Sequence, residues 1–473
     1  MTAPVLYWYR DDLRLADLPA LAAAIACGGP VIPIYILDDR AAGTRALGGA
    51  SRWWLHHSLA QLAEAIERLG GRLILRRGDS HDILPALLEQ TGADRVFAST
   101  SEAPWLRRLD AALAKRVTLD QHAGATLFRP GEICTKSEAV YKVFSPFWRA
   151  LKAHGEPPEP IAAPTRWPAP ERWPDSDTLD SWALRPSNPD WAAEFSDHWT
   201  PGAAGAHARL GHFLEHICED YKRLRDIPGI DGTSRLSPHL RFGEISPREV
   251  WHRTRPVCET SEPFLRELGW REFGYHLLHH MPHLPDEPMR PEFKAFPYRR
   301  DKTALARWQC GQTGYPIVDA GMRQLWRTGW LHNRVRMIVG SFLVKDLLLD
   351  WESGEAWFWD TLVDADPANN VMGWQWVAGC GPDAAPYFRI FNPVSQGERH
   401  DPDGAYVRRW VPELAGLPDS VIHKPWEASP MERDLAGVRL GKDYPEPMVD
   451  HKRAREAALE AYECVKQAKE QGA

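Results

Sequence analysis

Apolar and polar positions follow two different rhythms along this 473-residue chain. Between residues 5 and 122, "VLYWYR" (5–10), "VIPIYIL" (31–37), "RLILRR" (72–77), "RVFAST" (95–100) and "VTLDQH" (117–122) read as five short strands. Between them lie stretches of helical spacing, such as "SRWWLHHSLAQLAEAIERL" (51–69). Five strands alternating with helices predict an open, mostly parallel sheet covered by helices on both faces. From about residue 205 the helical period dominates and strand signals nearly vanish, which predicts a second, all-α domain ending in a helical stretch at 451–469. The rhythm breaks at 155–205. Pro157, Pro158, Pro160, Pro164, Pro168, Pro170 and Pro174 forbid regular helix or central strand there. This stretch is read as a linker laid on the surface and pinned by Trp167, Trp173, Trp182 and Trp191.

Composition adds little to that picture except at three points. No apolar run reaches the roughly 18 residues of a membrane helix, and the opening "MTAPVLYWYRDDLRL" lacks the pattern of a signal peptide, so a cytoplasmic protein is expected. Seven scattered cysteines without a C-x-x-C pair point to reduced thiols rather than a metal or cluster site. The net charge of −7 hides a basic stripe, with eleven Arg/Lys against three Asp/Glu from Arg290 to Lys345, where phosphate could bind locally.

Candidate chemistry gathers in the second half. The G-x-G-x-x-G fingerprint is absent after the first strand, so any ligand there binds in another way. In "DGTSRLSPHLRFGEISP" (231–247), Gly232 permits a tight turn and Thr233, Ser234 and Ser237 supply hydroxyls beside Arg235. Ser237-Pro238 reads as an N-cap with proline at the first helical position, and hydroxyls at a helix start can hold phosphate. In "GWLHNRVRM" (329–337), Asn333 and Met337 share a helical face, and Arg336 lies off it. A buried Arg336 would need a carboxylate such as Asp364 or Asp366. The histidines of "HLLHHMPH" (276–283) lack a third metal ligand at helical spacing, so no metal is expected. "NNVMGWQW" (369–376) sets Trp374 and Trp376 two residues apart, roughly 200° around a helix. They serve two different sites, or one of them is exposed.

Six long strings carry a resemblance: "YWYRDDLRL", "GTSRLSPHL", "ELGWREF", "GQTGYPIVDAGMRQL", "GWLHNRVRMIVGSFLVKDLLLDW" and "GWQWVAGCGPDAAPYFRIFNP". With them the chain resembles the photolyase/cryptochrome family, nearest to class I cyclobutane pyrimidine dimer photolyases. The resemblance implies an α/β antenna domain (1–130), a Pro/Trp-rich linker (131–204) and a larger all-α domain (205–473) that binds FAD and DNA. It implies light-dependent repair, with an electron passed from excited reduced FAD to a flipped-out dimer. A blue-light photoreceptor and a (6-4) photolyase are the alternatives. The first usually shows a long tail and altered cavity residues; the second uses histidines where this chain has Asn333 and Met337.

The same resemblance assigns roles. Tyr221, Thr233, Ser234, Arg235, Leu236, Ser237, Phe264, Arg336, Asp364, Ala365, Asp366 and Asn370 would bind FAD. Among these, Arg336 would pair with Asp364, Asp366 would accept a flavin N–H and Asn370 would face N5. Glu267 and Asn333 would bond the dimer, with Trp270, Trp376 and Met337 as its walls. Arg225, Arg334 and Arg389 would hold DNA phosphates. Trp374 and Trp351 would relay electrons during photoreduction. The third relay position holds Tyr298 instead of the usual tryptophan, so either Tyr298 ends the chain or another residue such as Trp308 substitutes. The 97–105 strip "FASTSEAPW" departs from the family's antenna edge. A second chromophore, a folate such as methenyltetrahydrofolate or a deazaflavin, is nevertheless implied. Dimer-containing DNA is the implied partner of a monomer.

Overall fold

The computed structural model describes residues 2–135, 137, 139–383 and 388–471. All five strands form: β1 (Val5–Tyr9), β2 (Val31–Leu37), β3 (Ile74–Arg77), β4 (Val96–Ser99) and β5 (Leu119–His122). They make one parallel sheet in the order β3-β2-β1-β4-β5. β1 and β2 are buried throughout because helices cover both faces, which is why they read as unbroken apolar runs. Leu6, Trp8, Ile32, Ile34, Ile74 and Val96 form the core. The order reverses between β1 and β4. A cavity opens there beyond the strands' carboxyl ends, lined by Arg10, Asp11 and Ser99–Glu102, which belong to the 97–105 strip, together with Arg241 and Tyr275.

The proline-rich stretch carries only short helical turns, Leu179–Trp182 and Phe195–His198. Three of its tryptophans tie it to the sheet: Trp167 Nε1 donates to Val31 O at 2.8 Å, Trp173 packs against the core, and Trp182 lies 6.2 Å from Tyr35 between ring centroids. From there on, apart from isolated β-bridges, the described chain has helices and no strands, up to helix His451–Glu470.

By compactness the chain divides into two units. One comprises residues 1–219, 234–283 and 363–368; the other comprises 220–233, 284–362 and 369–473. These boundaries differ from 130/131 and 204/205, which separate stretches by secondary-structure class instead of by packing.

Two local expectations need correction. Cys218 and Cys258, both buried, form a disulfide, where reduced thiols were expected; forty residues separate them, so spacing gave no hint. The short helix spans Ser237–Arg241 with Leu236, not Ser237, at the N-cap, and no side chain caps it. Ser237 opens the first turn and Pro238 follows it.

Candidate functional site

The candidate residues fall in both units and are described within each. In the first unit, helix Glu262–His280 carries Phe264, Glu267 and Trp270. Glu267 and Trp270 are i, i+3 neighbours and therefore share a face. Both are partly exposed, whereas Phe264 is buried against Phe213 with ring centroids 4.3 Å apart. Trp270 lies flat on Phe144, at 3.7 Å and 8° between planes. A wall built from Trp270 is thus backed by a second ring, and its tilt is set from behind.

The Asp364–Asp366 segment is held from two sides. Arg241 Nε donates to Ala365 O at 2.6 Å and Arg241 Nη1 to Asp11 at 2.6 Å. Tyr275 Oη donates to Asp366 at 2.6 Å, and Ala368 N to the other carboxylate oxygen at 2.9 Å. Burial alone would lower the pKa of Arg241, but Asp11 and Asp366 outweigh it and raise it, so the guanidinium stays charged. Burial and then Asp366 push the Tyr275 phenol far above its ordinary value, so it remains a donor. Asp364 and Asp366 are both buried. A buried carboxylate suits ligand N–H groups only if its direction is fixed, and the bonds from Tyr275 and Ala368 N fix that of Asp366.

The 234–237 segment offers hydroxyls from Ser234 and Ser237 around Arg235. Arg235 has a left-handed backbone, φ +51°, and its guanidinium lies 4.4 Å over Trp199. A bulky residue held there costs on the order of 1 kcal/mol and is more common at ligand sites than elsewhere. Leu236 N donates to Ser234 Oγ at 3.4 Å, and Arg209 donates to Ser234 O at 2.8 Å.

In the second unit, Tyr221 is buried beneath Arg225, which lies 5.3 Å over its ring, and Thr233 ends the same segment. Helix Asn333–Ser341 opens with His332 as its cap, accepting from Arg334 N at 3.2 Å. Burial holds His332 down to about pKa 4, so it is a neutral cap. Asn333 is exposed at the helix start and Met337 half-buried one turn on. Arg334 pairs with Asp226 at 2.8 Å, and Arg336 Nε donates to Leu331 O at 2.9 Å.

Helix Asn369–Ala378 resolves the paired tryptophans. Trp374 is 3% exposed, whereas Trp376 is half-buried and lines a cleft with Phe388 and Arg389. They occupy different faces. Asn370 Nδ2 donates to the Glu355 carboxylate at 2.9 Å and to Glu355 O at 3.2 Å, which turns its carbonyl oxygen the other way. Trp374 packs edge-on against Phe358 (4.9 Å) and Trp308 (6.2 Å), and its buried Nε1 has no hydrogen-bond partner among the described residues.

Trp351 is buried and begins helix Trp351–Thr361 behind the Asp350 cap. The backbone next to Tyr298 is tied to the turn before that helix, where Arg299 N donates to Leu348 O at 2.7 Å. Burial, then Cys380, Glu352 and Asp350, raise the Tyr298 phenol well above 10, so at neutral pH it is protonated. Trp308 is wholly buried, edge-on to Trp374 with ring centroids 6.2 Å apart.

Each unit by itself offers groups of the kind an FAD needs: the oriented Asp366 carboxylate and the serine hydroxyls with Arg235 in one, the oriented Asn370 amide in the other. Arg241, Glu355, Phe144 and Phe388 were missed by the sequence reading. Arg241, Glu355 and Phe144 each touch a candidate residue distant in sequence, and no local pattern marks such a residue.

The comparisons agree with this arrangement. Residues 5–169 match the family model "DNA photolyase" and residues 264–464 the model "FAD binding domain of DNA photolyase". A deoxyribodipyrimidine photo-lyase of Agrobacterium fabrum is 51% identical, covering 98% of both chains. Cryptochrome-2 of Arabidopsis thaliana is 36% identical over 99% of this chain and 80% of its own. A crystal structure titled a bacterial class III photolyase, from Agrobacterium tumefaciens, superposes with TM-score 0.95 at 51% identity, over 99% of this chain and 98% of that one. That likeness lends no support to the class I assignment. The FAD-binding domain and the whole-length similarity lead to one conclusion: the chain belongs to the photolyase/cryptochrome family of FAD-binding proteins.

Proposed function

We propose that the protein is a deoxyribodipyrimidine photo-lyase that splits cyclobutane pyrimidine dimers in DNA under light. The observation that carries this reading is the two-faced helix Asn369–Ala378, with one tryptophan buried among aromatics and one beside an exposed arginine. When bound, FAD supplies light absorption and the electron that opens the cyclobutane ring. The chain's own residues bind, orient and exclude water. Ser234, Arg235, Leu236, Ser237, Tyr221 and Thr233 hold the phosphates, and Phe264 covers the adenine with an apolar ring. Asp364, Ala365 and Asp366 fix the flavin's polar edge, together with Arg336. Asn370, pinned by Glu355, presents its carbonyl oxygen in one direction only.

On the substrate side, Glu267 and Asn333 supply hydrogen bonds, and Trp270, Met337 and Trp376 supply apolar contact. Flipping is cheapest for a damaged, poorly stacked base, which gives selectivity for the lesion. Arg225, Arg334 and Arg389 hold phosphates and add salt-dependent affinity without sequence preference. The chain acts as a monomer in the cytoplasm, and no helix among the described residues is long and apolar enough to cross a membrane. A second, light-harvesting chromophore belongs to the same reading. Folate and deazaflavin are distinguished by the absorption spectrum of the denatured protein.

The test is selective binding. An oligothymidine should bind at least tenfold more tightly after ultraviolet irradiation than before, and Trp376→Ala should abolish the difference. Equal affinity for both forms in the wild type would remove the lesion from the account.

A further inference from the structure

Lys345 is buried to 1% exposure and has no carboxylate partner among the described residues. Burial pushes the Lys345 amine well below its ordinary pKa, and its charged form is costly unless something nearby answers it. Two things do. Nζ donates at 2.6 Å to the carbonyl of Ala378, the last residue of helix Asn369–Ala378, where the helix dipole is negative. Nζ also sits 3.0 Å from the centroid of Phe388, over the ring.

Capping explains the first contact and not the second. Phe388 is also stacked on Tyr462, with centroids 4.5 Å apart and planes at 7°. An ammonium and a parallel ring cannot both occupy one face of a phenyl group, so Phe388 is gripped between them. The turn out of the helix is built to allow this: Gly379 has φ +92°, and a Cβ there would stand 3.4 Å from Phe388 and 3.6 Å from Lys345 Nζ. Two residues beyond the exposed Arg389, Phe391 N donates to Ser341 Oγ at 3.1 Å. Arg389 is therefore an exposed cation between two fixed points. Lys345 joins the helix of Trp376 to the segment of Arg389.

We propose that Lys345 is a positioning residue for DNA binding: by clamping Phe388 it aims Arg389 at a backbone phosphate beside the lesion cavity. This rests on the reading of Arg389 as a phosphate contact. Neutral Lys345→Met removes the cation from the ring and the bond to Ala378 O, so the segment is no longer tied to the helix end. Lys345→Arg keeps a cation that can stack.

A double-mutant cycle tests it on the FAD-loaded protein, using an irradiated oligothymidine and a series of salt concentrations. K345M should weaken binding about tenfold and make the salt dependence shallower by about one phosphate contact, with FAD content unchanged. K345R should stay within about threefold of wild type. R389A should show the same loss as K345M, and K345M/R389A should be no weaker than R389A alone, because one contact cannot be lost twice. Multiplying losses in the double variant would overturn the proposal, as would a K345M variant with wild-type affinity and salt slope. If K345M fails to fold, Y462L loosens the other side of Phe388 and replaces it in the cycle, with the same expected coupling to R389A and the same contradicting outcome. An R389A variant that binds like wild type overturns the reading of Arg389 itself, and that result is distinct from a failure of coupling.

Discussion

Gly354 is what gives Trp374 its room. A Cβ there would collide with the Trp374 indole ring and with Leu343, both packed in a core that cannot retreat. Gly354→Ala should destabilise by about 1–3 kcal/mol, read as a lower melting temperature, and should slow photoreduction by tilting the indole. Trp374→Phe keeps the packing and removes the oxidisable ring. It should stop photoreduction of the oxidised protein, followed by flavin absorbance, and leave repair by chemically pre-reduced protein nearly intact. Loss of dimer binding in that variant would mean that the two tryptophans have been exchanged. At this scale the sequence was readable where a residue's role depends on its chain neighbours. Two positions along a helix were enough to place Trp374 and Trp376 on different faces. It was silent where a role depends on a remote partner: nothing near Asn370 announces Glu355, and nothing near Ala365 announces Arg241.

Helix Glu262–His280 shows the same limit one scale up. The family resemblance singled out Phe264, Glu267 and Trp270 on it, but nothing in the sequence showed which polar groups it buries. Glu272 is 6% exposed, and burial raises its carboxyl to about pKa 7, against the pull of Arg271 and the amides of Leu127 and Phe128. A carboxyl whose folded pKa lies above its unfolded value near 4.5 binds its proton more tightly in the native state. Its contribution is therefore fully present below about pH 4.5 and is lost as pH rises through 7. The loss at pH 8 is about 3 kcal/mol at most. Glu272→Gln cannot ionise, so its melting temperature relative to wild type should rise between pH 5 and pH 8. A constant offset would show that Glu272 is ionised throughout. The central strands were the easiest elements to read, since β1 and β2, buried on both faces, leave unbroken apolar runs. The cap of helix Ser237–Arg241 was misplaced by one residue because serine before proline is ambiguous between the cap and the first turn.

For the whole molecule, the sequence conveyed its two kinds of architecture but not its units. Segments 234–283 and 363–368 join the unit that holds the sheet, and only packing reveals that. The cysteine pairing was equally hidden. The fold leaves Cys27, Cys134, Cys310, Cys380 and Cys464 free, so denaturation without reductant should expose five thiols per chain, and seven after reduction. Seven in both conditions would deny the Cys218–Cys258 bond. FAD binding should be just as global in its effect. At a free concentration a hundred times its dissociation constant it adds about 2.7 kcal/mol, so the cofactor-free chain should melt several degrees lower. The most direct measurement concerns the chemistry these parts are assembled for. Purified protein with reduced FAD is mixed with an oligothymidine containing cyclobutane dimers, and the dimers are counted in blue light and in the dark. Dimers should disappear steadily in the light and not at all in the dark. Unchanged dimers in the light, with FAD bound and reduced and the DNA bound, would contradict the proposed function.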